Sequence, residues 1–206
     1  MTRKFARRDV LASGLAMLLG SQFVRLAGAA DTRENARVIS WKPPLYHGWP
    51  TLARRANGEL LLAFSGGRES HVCPFGRVEL MRSQDQGQTW RWPQVVYDGP
   101  IDDRDAGVLE TPQGTILITT FTSLAYEPLL TKALKAPAGS PETWEDLKIR
   151  EWTAVHDRIT AEQRQAELGC WMLRSTDGGV NWDARSRVPV NSPHGPIALK
   201  DGRLLY

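Results

Sequence analysis

Between Trp49 and Tyr206 the apolar and polar positions fall into short alternating or apolar runs separated by Gly, Pro, Asn and Asp, the pattern of antiparallel strands joined by tight turns. Trp49 to Arg55 reads as a strand, Ala56-Asn57-Gly58-Glu59 as a turn, and Leu60 to Ser65 as a second, apolar strand. After a glycine-rich loop, Arg77 to Ser83 alternates as a third strand and Gln94 to Tyr97 makes a fourth. The order then recurs with Ala106 to Thr111, a turn at Pro112-Gln113-Gly114, Thr115 to Phe121, Gly169 to Ser175 and Arg187 to Val190. A third round opens with Gly195 to Lys200, Asp201-Gly202 and Arg203 to Tyr206. Four short antiparallel strands per repeat is the sequence cue for a propeller blade, so the chain is expected to be all-β.

The second repeat carries an insertion from Thr122 to Leu168. Within it Trp144, Leu147, Trp152, Val155 and Ile159 fall near helical spacing from Pro141 onward, and Thr160 with Gln163 has the spacing of a capping box at the start of a second short helix. The apolar face of such a helix is read as a packing surface, which makes the insertion a helical cover beside one rim of the blades.

The turn between the third and fourth strands is the same in both repeats. Ser83-Gln84-Asp85-Gln86-Gly87-Gln88-Thr89-Trp90 and Ser175-Thr176-Asp177-Gly178-Gly179-Val180-Asn181-Trp182 share Ser, Asp, Gly and Trp at matching positions, with Thr or Asn before the Trp. A carboxylate there accepts backbone N–H bonds within the turn, the Gly takes positive φ, and the Trp folds back onto the sheet. This motif resembles the Asp box of sialidases and other bacterial neuraminidase-repeat propellers, and so do Pro50 with Leu52, Gly58 to Phe64, and Gly67-Arg68. The resemblance covers essentially the whole stretch after the leader and implies a six-bladed β-propeller, of which about two blades and the start of a third are present. It also implies that most of the ring lies beyond Tyr206, with Ala36 to Trp41 as the outer strand of the last blade.

Blade topology sorts the loops onto two rims. The Asp boxes and the turns at Asn57-Gly58, Gln113-Gly114 and Asp201-Gly202 share one. The other receives Tyr46 to Pro50, Gly66 to His71, Asp98 to Asp105, the insertion, and Asn191 to Pro196. Charged and imidazole groups from five segments thus converge on one channel mouth, where such folds carry their sites. Glycoside cleavage needs one carboxyl kept protonated and a second group to attack or stabilise the cationic centre. Glu69, Asp103 and Asp105 are the candidate carboxyls and His194 a candidate proton shuttle. Arg68, Arg104, His47, Trp49 and His71 are candidate substrate-binding residues. Asp102 to Asp105 reads equally well as a solvated turn, Arg68-Glu69 as a rim ion pair, and His194 as a strand cap.

In the family that this chain resembles, an Arg two residues before the Pro of a Phe-Arg-Ile-Pro motif clamps the sialate carboxylate; here that position is Gly48. The family's acid/base Asp is expected in the loop after Gly-Arg, where this chain offers only Glu69 and His71 before Arg77. Its Tyr nucleophile and the Glu partner would lie beyond Tyr206. The resemblance therefore implies a glycosidase acting on a sugar or acidic glycan, while the two departures predict poor turnover of sialosides. A non-catalytic carbohydrate-binding propeller and an extracellular interaction scaffold are the alternative readings.

The net charge of +3 includes Arg3, Lys4, Arg7, Arg8 and Arg25 of the leader, and no basic cluster interleaved with aromatics follows, so no nucleic-acid partner is expected. Arg7-Arg8-Asp9-Val10-Leu11, the apolar run Leu15 to Leu19 and Ala27-Gly28-Ala29 form the pattern of a twin-arginine export signal over residues 1–29. Cleavage is expected after Ala29, with the mature protein periplasmic or secreted. The apolar run is too short for stable membrane insertion. No ligand spacing specifies a metal, and no cofactor is expected. The expected partner is a carbohydrate or glycoconjugate. Cys73 and Cys170 are compatible with a disulfide or with two free thiols.

Overall fold

A computed structural model describes residues 36–190 and 193–205. The leader at 1–29, Asn191, Ser192 and Tyr206 lie outside the described residues. From Val38 onward the chain forms one compact unit.

Strands β1 (Tyr46–Arg54), β2 (Leu60–Arg68), β3 (Arg77–Ser83) and β4 (Gln94–Tyr97) make a four-stranded antiparallel meander in chain order. Strands β5 (Asp102–Glu110), β6 (Ile116–Ser123), β7 (Cys170–Ser175) and β8 (Ser186–Val188) make a second. A short hairpin, β9 (Ile197–Ala198) with β10 (Leu204–Leu205), follows. The two meanders face each other through one core, in which Leu61, Ala63, Val78 and Leu80 meet Ala106, Val108, Ile116, Ile118 and Leu173. Full burial of side chains this size stabilises by about 1.5–3 kcal/mol each.

Strand register fixes the rims. Leu60 pairs with both Arg54 and Ser83 at one end of β2, and Arg68 pairs with Tyr46 at the other. Eight residue steps of about 3.3 Å separate the two ends by roughly 26 Å, so the Asp box after Ser83 is on the rim opposite Arg68.

Both boxes close as their composition requires. Asp85 accepts the Thr89 N–H at 2.8 and 3.0 Å, the Thr89 hydroxyl at 2.6 Å and the Ser83 hydroxyl at 2.8 Å. Asp177 accepts the N–H groups of Val180 and Asn181, the Asn181 side-chain amide and the Ser175 hydroxyl. These donors hold each carboxyl at about 2 although both are exposed. Gly87 (φ 85°) and Gly179 (φ 83°) occupy the left-handed region that the turn demands.

The insertion is helical, with one helix more than its periodicity suggests. Besides α2 (Asp146–His156) and α3 (Ala161–Glu167) there is α1 (Glu127–Lys135), which turns only Leu130 and Ala133 inward and leaves Leu129 and Leu134 exposed. Thr160 and Gln163 form the expected reciprocal capping box. Trp152, Tyr126 and Leu130 pack on Cys73 in a second small core, whereas Leu147 is exposed and lies off the buried stripe. Cys73 and Cys170 are both free thiols.

Three segments read as loops are strand, and in the first of them β1 begins at Tyr46 rather than at the expected Trp49. β5 starts at Asp102, four residues before the expected Ala106, and β2 runs on to Arg68. Ala36 to Trp41 pairs with no strand among the described residues.

Candidate functional site

Strand β1 and strand β5, the inner strands of the two meanders, pack against each other, and both are irregular at the same height. The β1–β2 register slips between Gly48 and Thr51, and the β5–β6 register slips between Arg104 and Gly107. Within these slips lie Trp49 (φ 53°) and Asp105 (φ 41°), two non-glycine residues in the left-handed region. Such backbone persists only where surrounding contacts over-determine it, and bulges of this kind re-aim side chains.

Arg68, at the end of β2, is completely buried. Its Nη1 donates to Asp102 Oδ1 at 2.7 Å and Ser65 Oγ at 2.9 Å, and its Nη2 donates to Asp102 Oδ2 and the His71 carbonyl, both at 3.0 Å. The fork is therefore bidentate to an equally buried carboxylate. This pair explains why the Asp102 end of β5 is strand: it is an interior charge matched across two meanders, not a solvated turn. Asp102 also attracts Arg104, whose Nη1 stands 3.7 Å from Oδ2.

Trp49 is the hub of the cluster. The guanidinium carbons of Arg68 and Arg104 lie 5.0 and 4.9 Å from its ring centroid, and the His71 ring meets it edge-on at 5.0 Å. Both cations are within cation–π range of one indole. Asp105 is half-buried; its Oδ1 is out of contact with solvent and has no hydrogen-bond partner. Burial pushes its carboxyl up, against the pull of Arg104, His194, Arg68 and His71. His194 is exposed and meets Thr51 Oγ1 through Nδ1 at 3.2 Å, while its neighbour Gly195 lies against Gly107 of the β5 bulge.

Arg68, Arg104, Trp49, His71, Asp105 and His194 are thus brought together. Three other expected residues are elsewhere. Glu69 accepts the Trp152 Nε1–H and pairs with Lys148 Nζ at 3.5 Å, which ties the β2–β3 loop to helix α2. Asp103 is fully buried, accepts the Gly99 N–H at 2.6 Å, and is pushed well up by burial. His47 stacks on Phe64 at 4.4 Å, bonds Ser40 through Nδ1 at 2.8 Å, and faces Glu79 at 3.7 Å; burial pulls its pKa down. Side chains alternate along a strand, so neighbours of cluster residues fall on the other face. Asp102, and Tyr46, whose ring lies 6.4 Å from that of Trp49, belong to the cluster and were not singled out from the sequence. The carboxylate of Asp102 was hidden in a charge run that has the composition of a solvated turn.

Gly48 sits beside this cluster, and a Cβ there would lie 3.3 Å from the Tyr46 ring and 4.0 Å from Arg68 Cδ. Among the described residues no group of His, Cys, Asp and Glu could hold a metal ion, and no helix is long and apolar enough to cross a membrane.

Solved structures share this fold. A protein of unknown function from Dyadobacter fermentans matches with a TM-score of 0.55 at 21% identity, over 82% of this chain and 48% of its own. The NanB sialidase from Streptococcus pneumoniae gives a TM-score of 0.54 at 11% identity, over 82% and 42%. The Hadza microbial sialidase Hz136 gives 0.50 at 18%, over 77% and 31%. No family model matches the chain, and no curated protein matches it significantly. At these identities the likeness is one of fold: the chain has a sialidase-like antiparallel β fold. It spans less than half the length of these structures.

Proposed function

We propose that this chain is part of an exported, sialidase-like glycoside hydrolase that acts on a sugar or acidic glycan through the cluster around Trp49. The observation that carries the reading is Asp105: a half-buried carboxyl, held at positive φ in the β5 bulge, with one unpartnered oxygen among arginine and histidine side chains. A carboxyl pushed up by burial is the form that donates a proton to a leaving oxygen. Asp105 is assigned that role, and His194, whose charge acts on it, the role of proton shuttle. Arg104 and the edge of Trp49 contact the sugar, and Arg68, locked by Asp102, holds Trp49 in place.

Asp103 and Glu69 are already engaged by Gly99 and Trp152, so in this reading the second catalytic group comes from outside the described residues. The substrate here is not held as a sialate: Gly48 brings no guanidinium, and every Arg68 Nη is occupied. The leader pattern supports export with cleavage after Ala29. The test is a screen of aryl glycosides and natural oligosaccharides with the purified protein, followed by Asp105→Asn on any substrate turned over. Release of a sugar that Asp105→Asn abolishes is expected; no turnover of any glycoside would overturn the hydrolase reading.

A further inference from the structure

Behind the cluster, on the far side of the segment that carries Arg68, lies an open pocket of about 530 Å³ between the first meander and helix α2. Its floor is apolar, with Phe75, Pro74 and Val155. Two cations line it, each tied to the protein. Arg158 Nη2 donates to the carbonyls of Gly99 and Pro100 at 3.2 and 3.0 Å, and Arg77 pairs with Glu79 at 2.7 Å. Glu69 on the rim of the pocket is fixed by Trp152 and Lys148. What remains available to a ligand is a pair of carboxylates on different elements, Asp98 of the inter-blade loop and Glu151 of α2, both exposed.

A pre-formed cleft with an apolar floor and outward-facing acceptors suits a ligand with apolar C–H faces and several O–H donors. We propose that this pocket is a binding site for a neutral sugar unit of a glycan, with Asp98 and Glu151 accepting its hydroxyls and Phe75 lying under its ring. The inference rests on the carbohydrate reading above and extends it, because it places an uncharged sugar at a second site built by the insertion. The insertion then sets which glycans are held, and Arg158 and Glu69, by fixing α2 to both rim loops, are positioning residues for that site.

The test is saturation-transfer NMR and titration of the purified protein with lactose, and with glucuronate as an anionic sugar. Each is repeated on Asp98→Ala/Glu151→Ala, on Ala154→Trp, which fills the pocket from an exposed helix position, and on Asp105→Asn. Lactose is expected to bind the wild type, to weaken about tenfold when its two acceptors are removed, and to be lost in Ala154→Trp. Binding is expected to persist in Asp105→Asn, and any glucuronate binding to be unaffected by the pocket variants. Lactose binding that is lost in Asp105→Asn but kept in both pocket variants would overturn the second site while leaving the hydrolase reading intact. Absence of lactose binding to the wild type would overturn it outright, and turnover in the glycoside screen would still report separately on the first site.

Discussion

Asp102→Asn is the substitution with the largest expected effect in the described residues. Arg68 and Asp102 are 0% exposed and joined at 2.7 and 3.0 Å. Desolvating each ion costs several kcal/mol, and only their mutual attraction with the flanking hydrogen bonds offsets it. Asn in place of Asp102 keeps the shape but leaves an uncompensated guanidinium in the interior, at a cost of about 3–5 kcal/mol. Arg68→Met should cost a similar amount, because the buried carboxylate then has only Arg104 at 3.7 Å. The pair Arg68→Met/Asp102→Asn removes both charges and should cost less than either single change, giving a coupling of about 3 kcal/mol or more. Urea unfolding of the four proteins measures this, read at constant slope. Single substitutions that cost under about 1 kcal/mol, or a double variant that costs the sum of the two, would refute the argument that the first residues of β5 are held in the interior by this pair.

Other expectations follow from the Asp boxes, the missing clamp, Glu69 and the leader. Asp85 and Asp177 are held at about 2, below the ordinary 3.8, so the stability they contribute is full above the ordinary value and is lost as pH falls toward 2; Asp85→Asn/Asp177→Asn should flatten the melting temperature between pH 5 and 2, and an unchanged acid limb would contradict the turn geometry. A charge-assisted contact contributes about 1.5–3 kcal/mol, so with Gly48 at the clamp position a sialoside reporter should be turned over at least one to two orders of magnitude more weakly than other substrates, and robust sialoside hydrolysis would count against the site as drawn. Glu69→Gln keeps an acceptor for Trp152 and should leave turnover intact, whereas Glu69→Ala should lower the melting temperature; abolished turnover in Glu69→Gln would return it to the catalytic set. N-terminal sequencing of exported protein should read from Ala30, and Arg7→Lys/Arg8→Lys should retain the precursor; export unaffected by that change would contradict a twin-arginine signal.

The four-stranded antiparallel pattern was legible because its determinants are local. Alternation, the Asn57-Gly58 and Gln113-Gly114 turns and the two Asp boxes each specify their own backbone, and β3 and β4 fall where the pattern put them. What was not legible depends on distant partners. Asp102 to Asp105 has the composition of an exposed turn, and only Arg68, 34 residues earlier in the chain, makes its first residue a buried one. The same holds for Glu69 and Trp152, 83 residues apart. The separation of Asp103 from Asp102 follows from strand alternation, and that of His47 from Trp49 from the register slip of β1 that re-aims Trp49; both were masked while these segments were read as loops. Helix α1 was missed because its inward face is only Leu130 and Ala133, too narrow a stripe to show as periodicity.

The central claim, that Asp105 is the proton donor of a sugar-cleaving site, is tested most directly by comparing wild type and Asp105→Asn on a series of aryl glycosides whose leaving groups span a range of acidity. General acid catalysis contributes about 10²- to 10⁴-fold, and it matters least when the departing phenol is already acidic. The account predicts a loss of that order in kcat/KM for the poorest leaving groups, shrinking steadily toward the best, with an unchanged melting temperature. Equal losses across the series, or no loss at all, would contradict it.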